Sequence, residues 1–196
     1  MKTLRLTAAD FKDVGAYYKE YCGKEDVSDF EGHLEIEKNL GWLKFTSIKV
    51  SGRIFAEAGS GIEAGWGIEA GDGIEAGSGI KAGSGIKAGD GIKAGDGIEA
   101  GSGIEAGSGI KAGWGIVSLY SYIKARLNII ANVKCTISAG IFSVDGEKEI
   151  EAEEIVGAKV IYGKVTLLPK SDEKPKSTKV KIRLSGGEVV EGEIVS

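Results

Sequence analysis

Residues 56 to 115 are ten tandem copies of one six-residue unit: AEAGSG, IEAGWG, IEAGDG, IEAGSG, IKAGSG, IKAGDG, IKAGDG, IEAGSG, IEAGSG and IKAGWG. A period this short constrains the fold strongly. Each unit holds at most one large apolar side chain, which can be buried only by stacking against neighbouring units. Within a unit the Ile and the Ala two residues later share one side of an extended strand, and the Glu or Lys faces the other. The pattern predicts a three-residue strand with a buried Ile-Ala face and a charged outer face. The Gly-x-Gly that follows is expected to turn the chain at each corner through backbone angles of positive φ. Only Ala56 departs from isoleucine at the first position of a unit.

Six residues per side and three sides per coil is the arrangement of left-handed hexapeptide β-helices, so an 18-residue coil is expected. The charges give a partial test, because positions one such coil apart would then stack directly. Glu63, Lys81 and Glu99 alternate in sign, as do Glu69, Lys87 and Glu105. Only the row Glu57, Glu75, Lys93, Lys111 contains like-charge neighbours. Five of these seven stacked pairs are opposite, against five of eight for a two-sided, 12-residue coil. Exposed cross-strand pairs of this kind contribute about 0.2 to 1 kcal/mol each, enough to bias register.

The flanking sequence supplies the ends of the solenoid. KTLRL (residues 2 to 6) reads as a strand, and Thr7 with Asp10 three residues later resembles a capping box. Ala8 to Cys22 is expected to be a helix, with Phe11, Val14, Tyr18 and Tyr21 near one face and Gly23 at its stop. Residues 1 to 33 would thus form a strand and helix cap, covering a terminal coil that would otherwise expose an apolar layer and unpaired strand edges. Period-two segments around Ile36 and Ile48 read as irregular first coils. After Ile116 the six-residue spacing resumes with one insertion, at Ile123, Ile129, Cys135 and Ile141. EIEAEEIVGAKVIYGKV (residues 149 to 165) carries similar units, which extends the expected solenoid over residues 34 to 168. Residues 169 to 179 hold both prolines of the chain and read as a linker. Residues 180 to 196 read as a β-hairpin turning at Ser185-Gly186-Gly187. The fold class expected is mainly β: a hexapeptide-repeat β-solenoid with a short N-terminal helix cap and a C-terminal β-hairpin.

Composition narrows the function classes. Glycine accounts for 32 of 196 residues and proline for only two, which excludes collagen. A net charge of −4 argues against general nucleic-acid binding, though residues 170 to 183 carry six Lys or Arg against two acids and form a basic patch. Cys22 and Cys135 have no CxxC spacing, so reduced thiols, a cytoplasmic setting and no metal centre are expected. No apolar run is long enough to cross a bilayer as a helix, and no membrane span is expected.

The array contains strings such as Gly59-Ser60-Gly61-Ile62-Glu63-Ala64-Gly65 that imitate a dinucleotide loop. Their recurrence without a following helix makes them a by-product of the repeat. The resemblance to hexapeptide acyltransferases would imply a catalytic histidine, but the one histidine, His33, lies outside the array beside Gly32 in an expected turn, where it reads as a surface or capping residue. Ice-binding helices use ranks of threonine, and the array has none. Six Glu and three Asp against four Lys make the array a weak imitation of DNA phosphates and a better solvated mixed face. No catalytic residue and no cofactor are expected.

Three tryptophans remain. Trp66 and Trp114 occupy the corner position that other units fill with Ser or Asp, and Trp42 lies upstream. Exposed tryptophans are frequent binding hot spots, and the alternative is that they pack on the caps or on an adjacent protomer. Because Trp66 and Trp114 stand eight units apart, they share a side only if coils are two-sided. The candidate partner-binding residues are therefore Trp42, Trp66 and Trp114 together with Lys179, Lys181 and Arg183 of the basic hairpin.

The units GIEAGWGIEAG and GIKAGDGIKAG, with ISAGIF and EEIVGAKVIYGKV downstream, resemble Gly-rich hexapeptide-repeat proteins of Firmicutes and their phages. The resemblance covers roughly residues 48 to 165. It implies a binding protein without enzymatic activity, with a protein or nucleoprotein partner such as a CRISPR effector, in the manner of anti-CRISPR inhibitors. Bactofilins, which polymerise through β-helix ends, are the structural alternative and imply a homo-oligomer.

Overall fold

A computed structural model describes residues 1–131, 136–143, 148–157 and 159–170, and the backbone of 178–183 and 189–194. Strands from successive sides of the coil assemble into three sheets of eight, nine and seven strands, which are the three faces of a prism and are parallel except for the first pair of the nine-stranded sheet. The first face begins at Lys2–Leu6, the second at Phe11–Asp13 and the third at Ile48–Val50. In the regular array each strand is the Ile-x-Ala triplet, and Ile80 pairs with Ile62 on one side and Ile98 on the other. Each coil therefore takes three of the six-residue units, one to a side. Every array isoleucine is at most 1% exposed, and the third-position alanines fill the space between layers. Full burial of each isoleucine contributes about 1.5 to 3 kcal/mol.

The corners work differently from the sequence expectation. None of the array glycines from Gly65 to Gly115 takes a positive φ. They are required by close approach between coils. A β-carbon on Gly89 would lie 1.9 Å from the carbonyl oxygen of Gly71 directly beneath it. On Gly85, the second glycine of its corner, it would sit 3.2 Å from the Gly103 oxygen. The hydrogen-bond ladder runs through this corner: Gly83 N–H donates to Ala64, Ser84 N–H to Trp66 and Ile86 N–H to Gly103, at 2.9 to 3.1 Å. Positive φ occurs outside the regular array, in the irregular corner at Gly59 (76°) and at Gly32 (154°) and Gly41 (77°), which begin strands.

Gly59 also marks where the array begins. Ala56 pairs with Ala76 and not with an isoleucine, so it ends the strand Ile54–Ala56. The next core isoleucine, Ile62, comes eight residues after Ile54. Residues 57 to 59 form an irregular corner that leads into the longer strand Ser60–Ala64, held by the buried Ser60 hydroxyl, which donates to the Glu37 carbonyl (2.6 Å) and accepts from Leu40 N–H (3.1 Å). The regular array is thus nine units from Ile62, and Phe55, not Glu57, stacks against Glu75.

The expected N-terminal helix does not form. Thr7 and Asp10 make the capping box, but only one 3-10 turn follows, Ala8–Asp10. Phe11–Asp13 and Tyr18–Tyr21 then pair antiparallel. The apolar residues Phe11 and Tyr21 serve period two here: their rings meet each other and Phe45 at centroid distances of 5.4 to 5.8 Å, closing the end of the prism with an aromatic plug. Burial pushes the Tyr21 phenol pKa up. Gly32 and His33 lie within the strand Gly32–Ile36, not in a turn, and Lys2–Leu6 pairs with that strand.

Downstream, Ile123 and Ile129 enter the core as expected, but the next core residue is Ile137. Ile141 falls in a turn at 41% exposure, and Cys135 lies outside the described residues. The final core positions, Ile150, Ile155, Val160 and Val165, are only five residues apart, and exposure rises along them. Most of the expected linker, residues 171 to 177, and the turn at Ser185-Gly186-Gly187 lie outside the described residues. Thr178–Arg183 and Val189–Ile194 pair antiparallel. Among the described residues no helix is long and apolar enough to cross a membrane.

The two corner glycines should differ in tolerance. Gly89→Ala forces the coils apart and should cost about 1 to 3 kcal/mol or more, as overpacking does, whereas Gly85→Ala should cost less. Guanidinium unfolding of both variants checks this ordering.

Candidate interaction surface

Outward side chains stack in rows, one from each coil, and on two faces the rows alternate in charge over their charged length. The second face runs Glu20, Lys44, Glu63, Lys81, Glu99. The third runs Lys49, Glu69, Lys87, Glu105, Lys124, Glu151. Ion pairs follow: Lys81 with Glu99 at 3.2 Å, Lys87 with Glu105 at 3.8 Å and Lys124 with Glu151 at 3.0 Å. The hydrogen bond from Lys124 to Glu151 holds the ammonium above the usual lysine range. On the first face, Lys93 reaches Glu75 at 2.5 Å, and Lys111 stacks on Lys93 as the one like-charge step within the array.

Beside each charge row runs a shallow groove floored by the second glycine of each corner. The grooves enclose about 560, 330 and 460 Å³ on the first, second and third faces. Large side chains stop them. Tyr122 closes the third-face groove at Gly103. On the second face the half-buried Trp42 lies over Gly61 and Gly79: β-carbons there would come within 3.1 Å of its Cε3 and 2.7 Å of its Cη2. Beyond Trp42 the floor at Gly97 and Gly115 is open.

Trp66 and Trp114 are both 67% exposed, so they do not pack on the end caps. Trp66 stands on the edge between the second and third faces, and Trp114 on the edge between the first and second. They share no edge but border the same face. Sequence reasoning missed their company. Tyr120 lies three coils beyond Trp66 and stands on the same edge. Its ring lies 6.0 Å from that of Phe142, also exposed, in the corner that follows the next strand of the second face. Tyr17 and Tyr18 belong to the hairpin that begins this face. All the exposed aromatic side chains among the described residues, Tyr17, Tyr18, Trp66, Trp114, Tyr120 and Phe142, thus belong to the second face or its two borders. Writing the sequence in rows of one coil each would have placed Tyr120 above Trp66. The insertions after Leu119 hide Phe142 from that count.

The other candidates are dispersed. His33 is half-buried on the first face, where its Nδ1 accepts from Arg53 N–H at 3.0 Å. Lys179, Lys181 and Arg183 fall on the strand Thr178–Arg183, in register with Glu193, Glu191 and Val189, and their side chains lie outside the described residues. Among the described residues no group of three or more His, Cys, Asp or Glu is placed to hold a metal ion. No protein-family model, no curated protein and no solved structure matches the chain.

The Lys93–Lys111 step gives a direct check of the ladder. Lys111→Glu restores alternation and should stabilise the fold by about 0.2 to 1 kcal/mol, read as a higher denaturation midpoint at low salt that converges on wild type at high salt.

Proposed function

We propose that this chain is a non-enzymatic binding scaffold that docks a protein or nucleoprotein partner on its aromatic second face, and that it acts as a phage-encoded, anti-CRISPR-like inhibitor of a defence nuclease in the host cytoplasm. The observation that carries the binding reading is the collection of every exposed aromatic side chain among the described residues on one face and its borders. Exposed Trp and Tyr anchors dominate binding energies where they enter a partner's pockets. The regular coils supply the rigid spacing, and lysines and glutamates along the grooves pair with one another in ladders, as Lys93 does with Glu75 and Lys81 with Glu99. The resemblance to repeat proteins of phages motivates the choice of partner, and Lys179, Lys181 and Arg183 are the proposed contacts to its nucleic acid.

A second reading is a bactofilin-like polymer. Val156, Ile161, Val165 and Leu167 are exposed on the last described coil of the solenoid, an apolar end suited to joining another end. Light scattering separates the two, because a polymer grows with concentration and an inhibitor stays a small closed species.

The inhibitor reading is tested in a bacterium whose CRISPR nuclease targets an infecting phage. Expression of the chain should raise plaquing, and purified protein should block DNA cleavage by the effector. Trp66→Ala and Trp114→Ala should each cost about 2 kcal/mol, roughly thirtyfold in affinity, without changing the circular dichroism. Undiminished cleavage at saturating protein would refute this role.

A further inference from the structure

We infer that the second face is self-complementary and pairs two copies of this chain as an antiparallel, two-fold symmetric dimer. The inference uses the centre of the second face, leaves the border aromatics Trp66, Trp114, Tyr120 and Phe142 for the proposed binding role, and does not depend on any partner. Consider a second copy laid face to face with the first. The two-fold axis lies in the plane of contact, perpendicular to the solenoid axis, and crosses between the strands Ser60–Ala64 and Ile80–Ala82. This rotation reverses the order of coils and keeps each edge against its own counterpart. Strand Ser60–Ala64 then faces Ile80–Ala82 of the second copy, Gly41–Phe45 faces Ile98–Ala100, and Tyr18–Tyr21 faces Ile116–Ser118.

Two features together select that axis. The first is charge. With the axis there, Glu63 opposes Lys81 of the second copy and Lys44 opposes Glu99, and each pair occurs twice by symmetry. Shifting the register by one coil opposes Lys44 to Lys81, or Glu63 to Glu99, and a parallel pair sets every charge level with its own kind. An alternating row therefore rejects registers one coil away; a register two coils away also opposes unlike charges, and shape decides between them. Within one chain Lys81 reaches Glu99 at 3.2 Å and Lys44 reaches Glu63 at 4.0 Å, while no ion pair joins Glu63 to Lys81 at the axis.

The second feature is shape. Trp42 rests over Gly61 and Gly79, and among the junctions between coils that the charges allow this one brings the two Trp42 rings together on the axis. Beyond them Tyr18 faces the open floor at Gly115, a large side chain opposite a small one. The result is an isologous interface with aromatic contact at its centre, the closed arrangement typical of homodimers. It also brings the Trp66 side chains of the two copies to neighbouring coil levels, with Tyr120 and Phe142 continuing outward on each side. The edge aromatics of two chains thereby join into one ridge.

Sedimentation velocity on the full chain tests the inference. Wild type should sediment at twice the 20.4 kDa chain mass. Glu63→Lys and Lys81→Glu each oppose like charges at two symmetric places and should weaken the dimer at least tenfold, giving monomers with unchanged circular dichroism. An equimolar mixture of these two variants again opposes unlike charges at both places and should recover the dimer mass, which a misfolded variant cannot do. Trp42→Ala should weaken association independently of salt. A wild type that stays monomeric, single variants as dimeric as wild type, or a mixture that stays monomeric would each overturn the inference. None of these outcomes bears on phage plaquing, so the dimer and the inhibitor stand or fall separately.

Discussion

The contact on which the rest depends is the approach of one coil's corner glycine to the carbonyl of the coil beneath, as at Gly89 over Gly71. With no β-carbon in the way, the backbone hydrogen bonds run through the corners as they run through the strands. Each coil then stacks in register on the last, and isoleucine falls on isoleucine through the whole array. Burial of these isoleucines provides most of the driving force, but the glycines decide the geometry in which it is realised. Conformational freedom at positive φ is used outside the regular array, as at Gly59, and not at the array's own corners.

The strict register explains why surface features that look scattered along the chain are adjacent in space. A three-sided coil distributes successive units over three faces, so charges one coil apart form ladders and corner residues one coil apart form edges. The ladders contribute little energy individually because they are exposed. Their value lies in specificity, since alternating rows disfavour slippage of one coil on another and give each face a definite pattern to present. The aromatic residues use the same frame. Trp66 and Trp114 stand on different edges, yet both flank the second face, where Trp42 and Tyr18 already lie.

Much of this architecture was legible in the sequence because a period of six with one isoleucine per unit admits few packings. The strand triplets, the 18-residue coil, the Thr7–Asp10 capping box and the C-terminal strand pair all follow from local pattern. Besides the backbone angles of the corner glycines and the strand at Gly32 and His33, three features did not follow. The segment from Ala8 to Cys22 carries apolar residues at spacings that suit a helix, but Phe11 and Tyr21 gain more by plugging the open prism beside Phe45, and tertiary burial overrode local preference. The Ala56 unit copies the array's letters while occupying a different register, because two extra residues in its corner are invisible to pattern matching. Beyond Leu119 the insertions vary in length, so spacing from Cys135 and Ile141 misplaced the strand that Ile137 anchors. The aromatic face was half legible: the tryptophans stood out by type, but their shared face emerges only once the number of sides is fixed.

Every row, groove and shared face depends on the three-sided, 18-residue coil. Electron-spin resonance on cysteine pairs tests it most directly, with Cys22 and Cys135 replaced by serine. Labels at positions 87 and 105 should sit on adjacent stacked strands, with backbones about 5 Å apart, and couple strongly. Labels at positions 87 and 99 should sit on different faces and couple weakly. Stronger coupling between positions 87 and 99 than between 87 and 105 would contradict the architecture and, with it, the common aromatic face.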